Sequence, residues 1–103
     1  MNPIVSIVIP LFNKETTILR AVNSVFSQTN KNFELIIVND GSTDNSAKLV
    51  ESLSGDDRIR LITQNNTGPG AARNRGIREA KTDLIAFLDA DDEWLPGFLD
   101  AVL

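Results

Sequence analysis

The sequence has 103 residues, 42% of them hydrophobic, and a net charge of −4 from 14 acidic and 10 basic side chains. This negative charge disfavours binding to a nucleic-acid backbone, and no apolar run is long enough to predict a membrane span. Because the sequence has no cysteine and no histidine, any metal site must be built from oxygen ligands. The start "MNPIVSIVIP" has neither a basic region nor a small-residue cleavage site, so we expect a cytoplasmic protein without a secretory signal.

The first predicted unit is a strand followed by a helix. Val5 to Leu11 is almost continuously apolar and rich in β-branched residues, which is typical of a strand buried on both faces. From Glu15 the apolar residues recur with helical spacing, and this helix is expected to end near Gln28. The helical stripe consists of Ile18, Val22, Val25 and Phe26.

Three further strands are predicted along the chain. They span residues 33–38 ("FELIIV"), 59–63 and 84–88. The turn formers "NDGSTDNS" precede a second helix, Pro69 suits the first position of a third, and a last helix is expected from Trp94 to Leu103. Strands that alternate with helices predict an α/β fold, with a mostly parallel sheet and helices on both faces.

Chemically active residues gather at the predicted strand ends. Ligands of such sheets bind beyond the carboxyl ends of the strands. Those ends carry Phe12-Asn13, Asn39-Asp40-Gly41 and Asp89-Ala90-Asp91. We therefore expect a binding site at this edge of the sheet.

The acidic cluster "DADDE" has two interpretations. Asp89 and Asp91 can offer oxygens to one hard divalent cation, Mg²⁺ or Mn²⁺, which would take its other ligands from water and substrate phosphates. Alternatively, acidic residues favour the start of a helix, a role that suits Asp92 and Glu93. An EF-hand loop is excluded because Trp94 stands where that loop needs glycine.

Two other segments also have alternative interpretations. Asp40 can accept hydrogen bonds from a base or a ribose, but Asp before Gly is also common in turns without a ligand. The segment "TGPGAARNRG" matches neither the P-loop nor the dinucleotide fingerprint. Arg73 and Arg75 are suited to a diphosphate or a base carbonyl, whereas surface salt bridges are the better interpretation for Arg78.

Four segments in this order resemble the nucleotide-binding half of glycosyltransferase family 2 enzymes with the GT-A fold. They are "VSIVIPLFN", "SVFSQTNKNFELIIVNDGSTDNS", "NNTGPGAARNRGI" and "LIAFLDADDEWLP", and together they cover essentially the whole chain. The resemblance implies a Rossmann-like fold, with residues 1–103 as the nucleotide-sugar-binding part of a longer domain whose acceptor half lies outside them.

The resemblance also implies an activity. Such an enzyme transfers a sugar from a nucleoside diphosphate sugar, most often a UDP-sugar, to an acceptor hydroxyl with inversion, using Mn²⁺ or Mg²⁺. The acceptor would be a carbohydrate or a lipid-linked molecule in polysaccharide or glycoconjugate synthesis. Peripheral association with the cytoplasmic face of a membrane would come through the part outside these residues.

The resemblance assigns roles to individual residues. Asp89-Ala90-Asp91 would be the DXD motif, with Asp91 as the main metal ligand and Asp89 on the ribose or the metal. Asp40 would hydrogen-bond the base. The remaining substrate-binding residues would be Pro10 and Phe12 around the base, Asn13 and Glu15 nearby, and Gly70 and Arg73 toward the nucleotide. Many relatives have Asp where this chain has Asn39, and the catalytic base is expected beyond residue 103.

Other functional classes match the sequence less well. A response-regulator receiver needs an acidic pair after its first strand, where this chain has Leu11-Phe12-Asn13. A nucleotidyltransferase would have a glycine-rich loop there, but "PLFNKETT" has no glycine. A binding module without catalysis remains an alternative for these residues in isolation.

Overall fold

The computed structural model describes residues 2–53 and 55–103. Strands and helices alternate along the chain. In order they are β1 (Val5–Leu11), α1 (Ile18–Phe26), β2 (Phe33–Asp40), α2 (Ser46–Glu51), β3 (Ile59–Gln64), α3 (Pro69–Glu79), β4 (Ile85–Phe87) and α4 (Phe98–Val102).

The four strands form one parallel sheet in the order β3-β2-β1-β4. At its centre, Val8 of β1 lies beside Ile36 on β2 and beside Phe87 on β4. β1 and β2 are buried along nearly their whole length, which explains why their sequences are mostly apolar rather than alternating. The predicted α/β architecture with a parallel sheet is confirmed.

Helices cover both faces of the sheet. Ile7 and Ile9 of β1 face the larger core, which includes residues of α1 and α2 and Leu99 of α4. Val8 faces the other side, where Ala72 of α3 packs. Burying each such aliphatic side chain stabilises the fold by about 1.5–3 kcal/mol.

α3 lies unusually close to the sheet because it carries a glycine at the contact. A Cβ atom built on Gly76 would lie 2.3 Å from Cγ1 of Val8, well inside van der Waals contact. The absence of a side chain at this position therefore sets how near α3 approaches β1.

The first helix begins later than the sequence predicts. It starts at Ile18, not at Glu15. The N–H groups of Lys14 and Glu15 donate instead to Ser46 Oγ and Asp44 Oδ2, at 2.9 and 3.2 Å. These contacts hold the residues before α1 in a turn against the β2–α2 loop.

The last helix and the last strand are also shorter than predicted. α4 starts at Phe98, not at Trp94. The carbonyl oxygens of Leu95 and Pro96 accept hydrogen bonds from Gln28 Nε2 and the Thr29 N–H, in the loop that follows α1. β4 spans three residues, although backbone hydrogen bonds to β1 continue at Leu84 and Leu88. Within the described ranges, no helix has the length and apolar character needed to cross a membrane.

Candidate functional site

A cavity of about 460 Å³ lies at the carboxyl ends of β1, β2 and β4. The start of α3 and the loop before it form its other wall. Its lining consists of Pro10, Leu11, Phe12, Lys14, Asp40, Asn66, Gly68, Pro69, Ala72, Arg73, Asp89, Ala90 and Asp91. The position is where ligands of parallel sheets bind, and three carboxylates converge there.

The Asp89-Ala90-Asp91 segment has a fixed backbone and exposed carboxylates. The carbonyl oxygen of Ala90 accepts a hydrogen bond from Thr17 Oγ1 at 2.8 Å, and that of Asp91 accepts one from Arg20 Nη2 at 2.9 Å. Both donors belong to α1 or its N-terminal boundary. In contrast, the Asp89 and Asp91 side chains are 61% and 57% exposed. The segment therefore presents two carboxylates from a backbone that α1 holds in place.

Each of these carboxylates faces one basic side chain. Arg73 Nη2 lies 3.5 Å from Asp89 Oδ1, and Lys14 Nζ lies 3.9 Å from Asp91 Oδ2. The two basic residues come from different elements, since Arg73 is in α3 and Lys14 follows β1. The cavity thus combines carboxylates with cations suited to phosphate oxygens.

Asp40 differs from the other two aspartates because it is buried, with 3% of its surface exposed. Its Oδ1 accepts hydrogen bonds from the Thr67 N–H at 2.9 Å and Gln64 Nε2 at 3.0 Å, and its Oδ2 accepts one from the Gly68 N–H at 2.9 Å. Burial alone would raise the pKa of the Asp40 carboxyl. The hydrogen bonds together outweigh it and hold that pKa below its usual value. Asp40 therefore joins the end of β2 to the start of α3 as a charged group.

The donor set fits a divalent cation that is shared with a substrate. In residues 2–53 and 55–103, no group of three or more acidic, histidine or cysteine side chains could hold a metal ion by itself. Asp89 and Asp91 nevertheless offer exposed oxygens in one cavity. Mg²⁺ is commonly held by one or two carboxylates, with waters and substrate phosphates as its other ligands. Two exposed carboxylates in a cavity that also contains Lys14 and Arg73, which are suited to phosphate oxygens, meet that requirement.

Comparison with known proteins identifies the family. Residues 6–103 match the family model described as glycosyl transferase family 2. The chain belongs to this family.

Individual relatives agree with the family assignment. EpsH of Bacillus subtilis, named as a glycosyltransferase, is 42% identical over 103 residues, which cover 99% of this chain and 30% of EpsH. The crystal structure of S. aureus TarS 1-349 in complex with UDP superimposes with a TM-score of 0.88 at 28% identity, covering 96% of this chain and 30% of TarS 1-349.

A more distant structure shares the fold. The mannosyltransferase PcManGT from Pyrobaculum calidifontis, in complex with GDP-Man and Mn²⁺, gives a TM-score of 0.81 at 22% identity, covering 91% of this chain and 29% of PcManGT. The family 2 chain described here spans less than a third of the length of each of these three proteins. The predicted GT-A fold is confirmed.

Most of the predicted site residues of this family 2 chain line one cavity. Those that do are Pro10, Phe12, Asp40, Arg73, Asp89, Ala90 and Asp91. The ring of Phe12 is exposed there, beside the buried Asp40.

Three predicted site residues are absent from the cavity lining. The same holds for one arginine that the sequence suggested as a hydrogen-bond donor to a diphosphate. Asn13 Oδ1 accepts a hydrogen bond from the Thr43 N–H at 2.7 Å, and Glu15 Oε2 accepts one from the Asn45 N–H at 3.2 Å. Both side chains therefore hold the β2–α2 loop, and Asn13 does so with a φ of 50°. Gly70 is exposed in the first turn of α3. Arg75 instead pairs with Glu79 at 3.2 Å.

Lys14 is the main charged residue at the site that sequence reasoning missed. A signal was available, since Lys14 is a cation within three residues of the end of a strand whose tip was already predicted to line the site. Asn66 and Gly68 were also missed. They reach the cavity because the Asp40 hydrogen bonds hold their loop against β2.

Proposed function

We propose that this chain forms the donor-binding part of an inverting, metal-dependent glycosyltransferase. The donor is a nucleoside diphosphate sugar, with UDP as the nucleotide, and the acceptor is a hydroxyl of a carbohydrate or a lipid-linked molecule. The observation that carries the proposal is the convergence of Asp40, Asp89 and Asp91 on one cavity that also contains Lys14 and Arg73. The UDP complex of S. aureus TarS, which shares this fold, supports the choice of nucleotide.

Asp91 and Asp89 would hold Mn²⁺ or Mg²⁺ in this enzyme. When bound, the cation stabilises the negative charge that develops on the leaving diphosphate. The chain's own part is to present two exposed carboxylates from a backbone anchored by Thr17 and Arg20, so that the backbone of this segment moves little when the metal binds. Arg73 would contribute a guanidinium to the diphosphate.

Asp40 would accept a hydrogen bond from the base. A carboxylate offers about four acceptor positions, and Asp40 Oδ2 accepts one hydrogen bond from the chain, from the Gly68 N–H. Because its hydrogen bonds keep the Asp40 carboxylate ionised, this group can only accept a hydrogen bond, which favours an N–H donor such as that of uracil. Pro10 and the exposed ring of Phe12 would provide the apolar surface beside the base.

The catalytic base would lie outside these 103 residues. Inverting transfer needs a general base within hydrogen-bond reach of the acceptor hydroxyl. All three carboxylates that line the cavity are assigned here to the base of the nucleotide, its ribose or the metal. Residues 1–103 would therefore hold the donor as part of a longer domain. The location we propose is cytoplasmic, at the membrane face where lipid-linked acceptors are accessible.

Titration calorimetry with UDP tests this proposal. The expected result is measurable binding in Mn²⁺ and a loss of at least about tenfold in affinity in chelator, because Asp89 and Asp91 would then repel the diphosphate. Asp91→Ala should reproduce much of that loss in Mn²⁺. Asp83→Ala, the matched removal of an exposed carboxylate outside the cavity, should bind as the wild type does. Equal affinity in Mn²⁺ and in chelator would remove the metal from the proposal.

A further inference from the structure

Each of the two exposed carboxylates of the cavity lies beside one basic side chain, which offsets part of its negative charge. Asp91 faces Lys14 and Asp89 faces Arg73, at 3.9 and 3.5 Å. A divalent cation that binds these carboxylates therefore competes with two cationic side chains. Once displaced, both side chains lie in a cavity whose expected second ligand is a diphosphate.

We propose that Lys14 is an exchangeable counter-ion that couples metal binding to diphosphate binding. Lys14 pairs with Asp91, as in the structure, and would pair with the diphosphate when a metal holds Asp91. Arg73 exchanges between Asp89 and the diphosphate in the same way. This inference rests on the proposed function and adds to it a reason why metal and nucleotide bind together.

The charges that line the cavity support coupling. Three carboxylates and two cationic side chains leave it with one net negative charge. A divalent cation and a diphosphate of about two negative charges leave this total unchanged when they bind together, whereas either ligand alone shifts it by about two units. Each ligand therefore favours binding of the other. Lys14 and Arg73 add to this coupling, because a metal that holds the carboxylates leaves both cations available to the diphosphate.

The local structure of Lys14 suits an exchange of partners. Its backbone is fixed, since its N–H donates to Ser46 Oγ at 2.9 Å and its carbonyl oxygen accepts hydrogen bonds from the N–H groups of Thr17 and Ile18 at 3.1 and 2.9 Å. Its side chain, in contrast, is 45% exposed. An exposed ion pair at 3.9 Å contributes little stability, so breaking it costs little. The position is thus fixed while the ammonium group can move between neighbouring anions.

The test compares two affinities in the wild type and in Lys14→Gln. These are the affinity for Mn²⁺ alone and the affinity for UDP in saturating Mn²⁺. In Lys14→Gln we expect Mn²⁺ alone to bind about 1.5- to 5-fold more tightly, the range that an exposed ion pair permits. UDP in Mn²⁺ should bind more weakly by a similar or larger factor. Lys14→Arg should restore both affinities, and Lys48→Gln, an equal charge change on α2, should alter neither.

Opposite changes in the two affinities are the decisive result. A purely structural Lys14 would change both in the same direction or leave both unaltered, and either outcome overturns the proposal. If the wild type binds UDP with Mn²⁺ but Lys14→Gln behaves as the wild type does, only the counter-ion role fails. If the wild type binds no UDP even in Mn²⁺, the proposed function fails and the exchange fails with it.

Discussion

Replacing Asp40 with asparagine tests how much the cavity depends on one buried carboxylate. Asp40→Asn keeps the size of the side chain but removes its charge and replaces one acceptor oxygen with an NH₂ group. The Thr67 and Gly68 N–H groups donate to different oxygens of Asp40, both at 2.9 Å. In the variant, the amide oxygen can serve one of these donors, and the NH₂ group faces the other.

The expected loss of stability follows from these contacts. A buried N–H left without an acceptor costs about 1–3 kcal/mol, and the remaining hydrogen bonds lose the strength that a charged acceptor gives. We expect the free energy of unfolding to fall by about 2–4 kcal/mol at pH 7. Gln64 Nε2 also loses a charged acceptor, but it has Thr67 Oγ1 as a second partner at 3.0 Å.

The loss should depend on pH with a defined sign. The pKa of Asp40 in the folded chain lies below its usual value. Its contribution is therefore complete above the unfolded-state pKa of about 3.9, and it disappears as the pH falls through the lower folded-state pKa. The stability difference between the wild type and Asp40→Asn should be largest at neutral pH and should shrink below about pH 4.

Urea unfolding of both proteins between pH 7 and pH 3 measures this difference. Asp83→Asn makes the same chemical change at an exposed position outside the cavity and should stay within about 0.5 kcal/mol of the wild type. A difference for Asp40→Asn that is below 1 kcal/mol at pH 7, or that stays constant down to pH 3, would refute the assignment of Asp40 as a charged acceptor for the loop before α3.

Three further predictions concern packing, division of roles and activity. Gly76→Ala should lower the free energy of unfolding by about 1–3 kcal/mol in urea titrations, because its Cβ would overlap Val8, and the penalty should be smaller in a Val8→Ala background. In calorimetry, Asp40→Asn should weaken uridine binding, whereas Asp91→Ala should weaken UDP but leave uridine nearly unchanged; equal losses would contradict the division of roles. In a radiolabelled UDP-sugar assay, residues 1–103 alone should transfer no sugar. A protein with about a hundred further residues after Leu103, the size of another domain half, should transfer it. Equal turnover by both proteins would place the catalytic base within residues 1–103.

The two central strands were predictable because burial on both faces leaves a strong signal. Apolar runs placed β1 at its observed bounds and β2 within two residues of its own. β3 was placed within one residue, although it is only half-buried and contains Arg60. The starts of α1 and α4 were wrong for a shared reason. Both starts depend on hydrogen bonds between distant segments, from the Lys14 N–H to Ser46 Oγ and from Gln28 Nε2 to the Leu95 carbonyl oxygen. The local spacing of apolar residues does not predict such contacts.

The candidate site was predictable in outline, since parallel strands bring their carboxyl ends together. From the sequence alone, that rule predicts that Asp40, Asp89 and Asp91 lie at one edge of the sheet. It could not reveal that Asp40 accepts hydrogen bonds from Thr67 and Gly68, which lie 27 and 28 residues further along the chain. The same is true of the Lys14–Asp91 pair, because the cation and the carboxylate come from opposite ends of the sequence.

The strand order gives a physical reason for the proposed separation of base recognition from diphosphate recognition. β1 lies between β2, which ends in Asp40, and β4, which leads into Asp89 and Asp91. The chain leaves β1 toward β2 on one side and returns through β4 on the other, so the crevice of the sheet opens at the tip of β1. Adjacent strands lie about 4.8 Å apart. A ligand that contacts the ends of both β2 and β4 must therefore span roughly 10 Å, across Pro10 and Phe12 at the end of β1. A base joined through ribose to a diphosphate can bridge that span, whereas a free base or a free phosphate reaches one side only. The topology therefore favours a whole nucleotide over either of its parts.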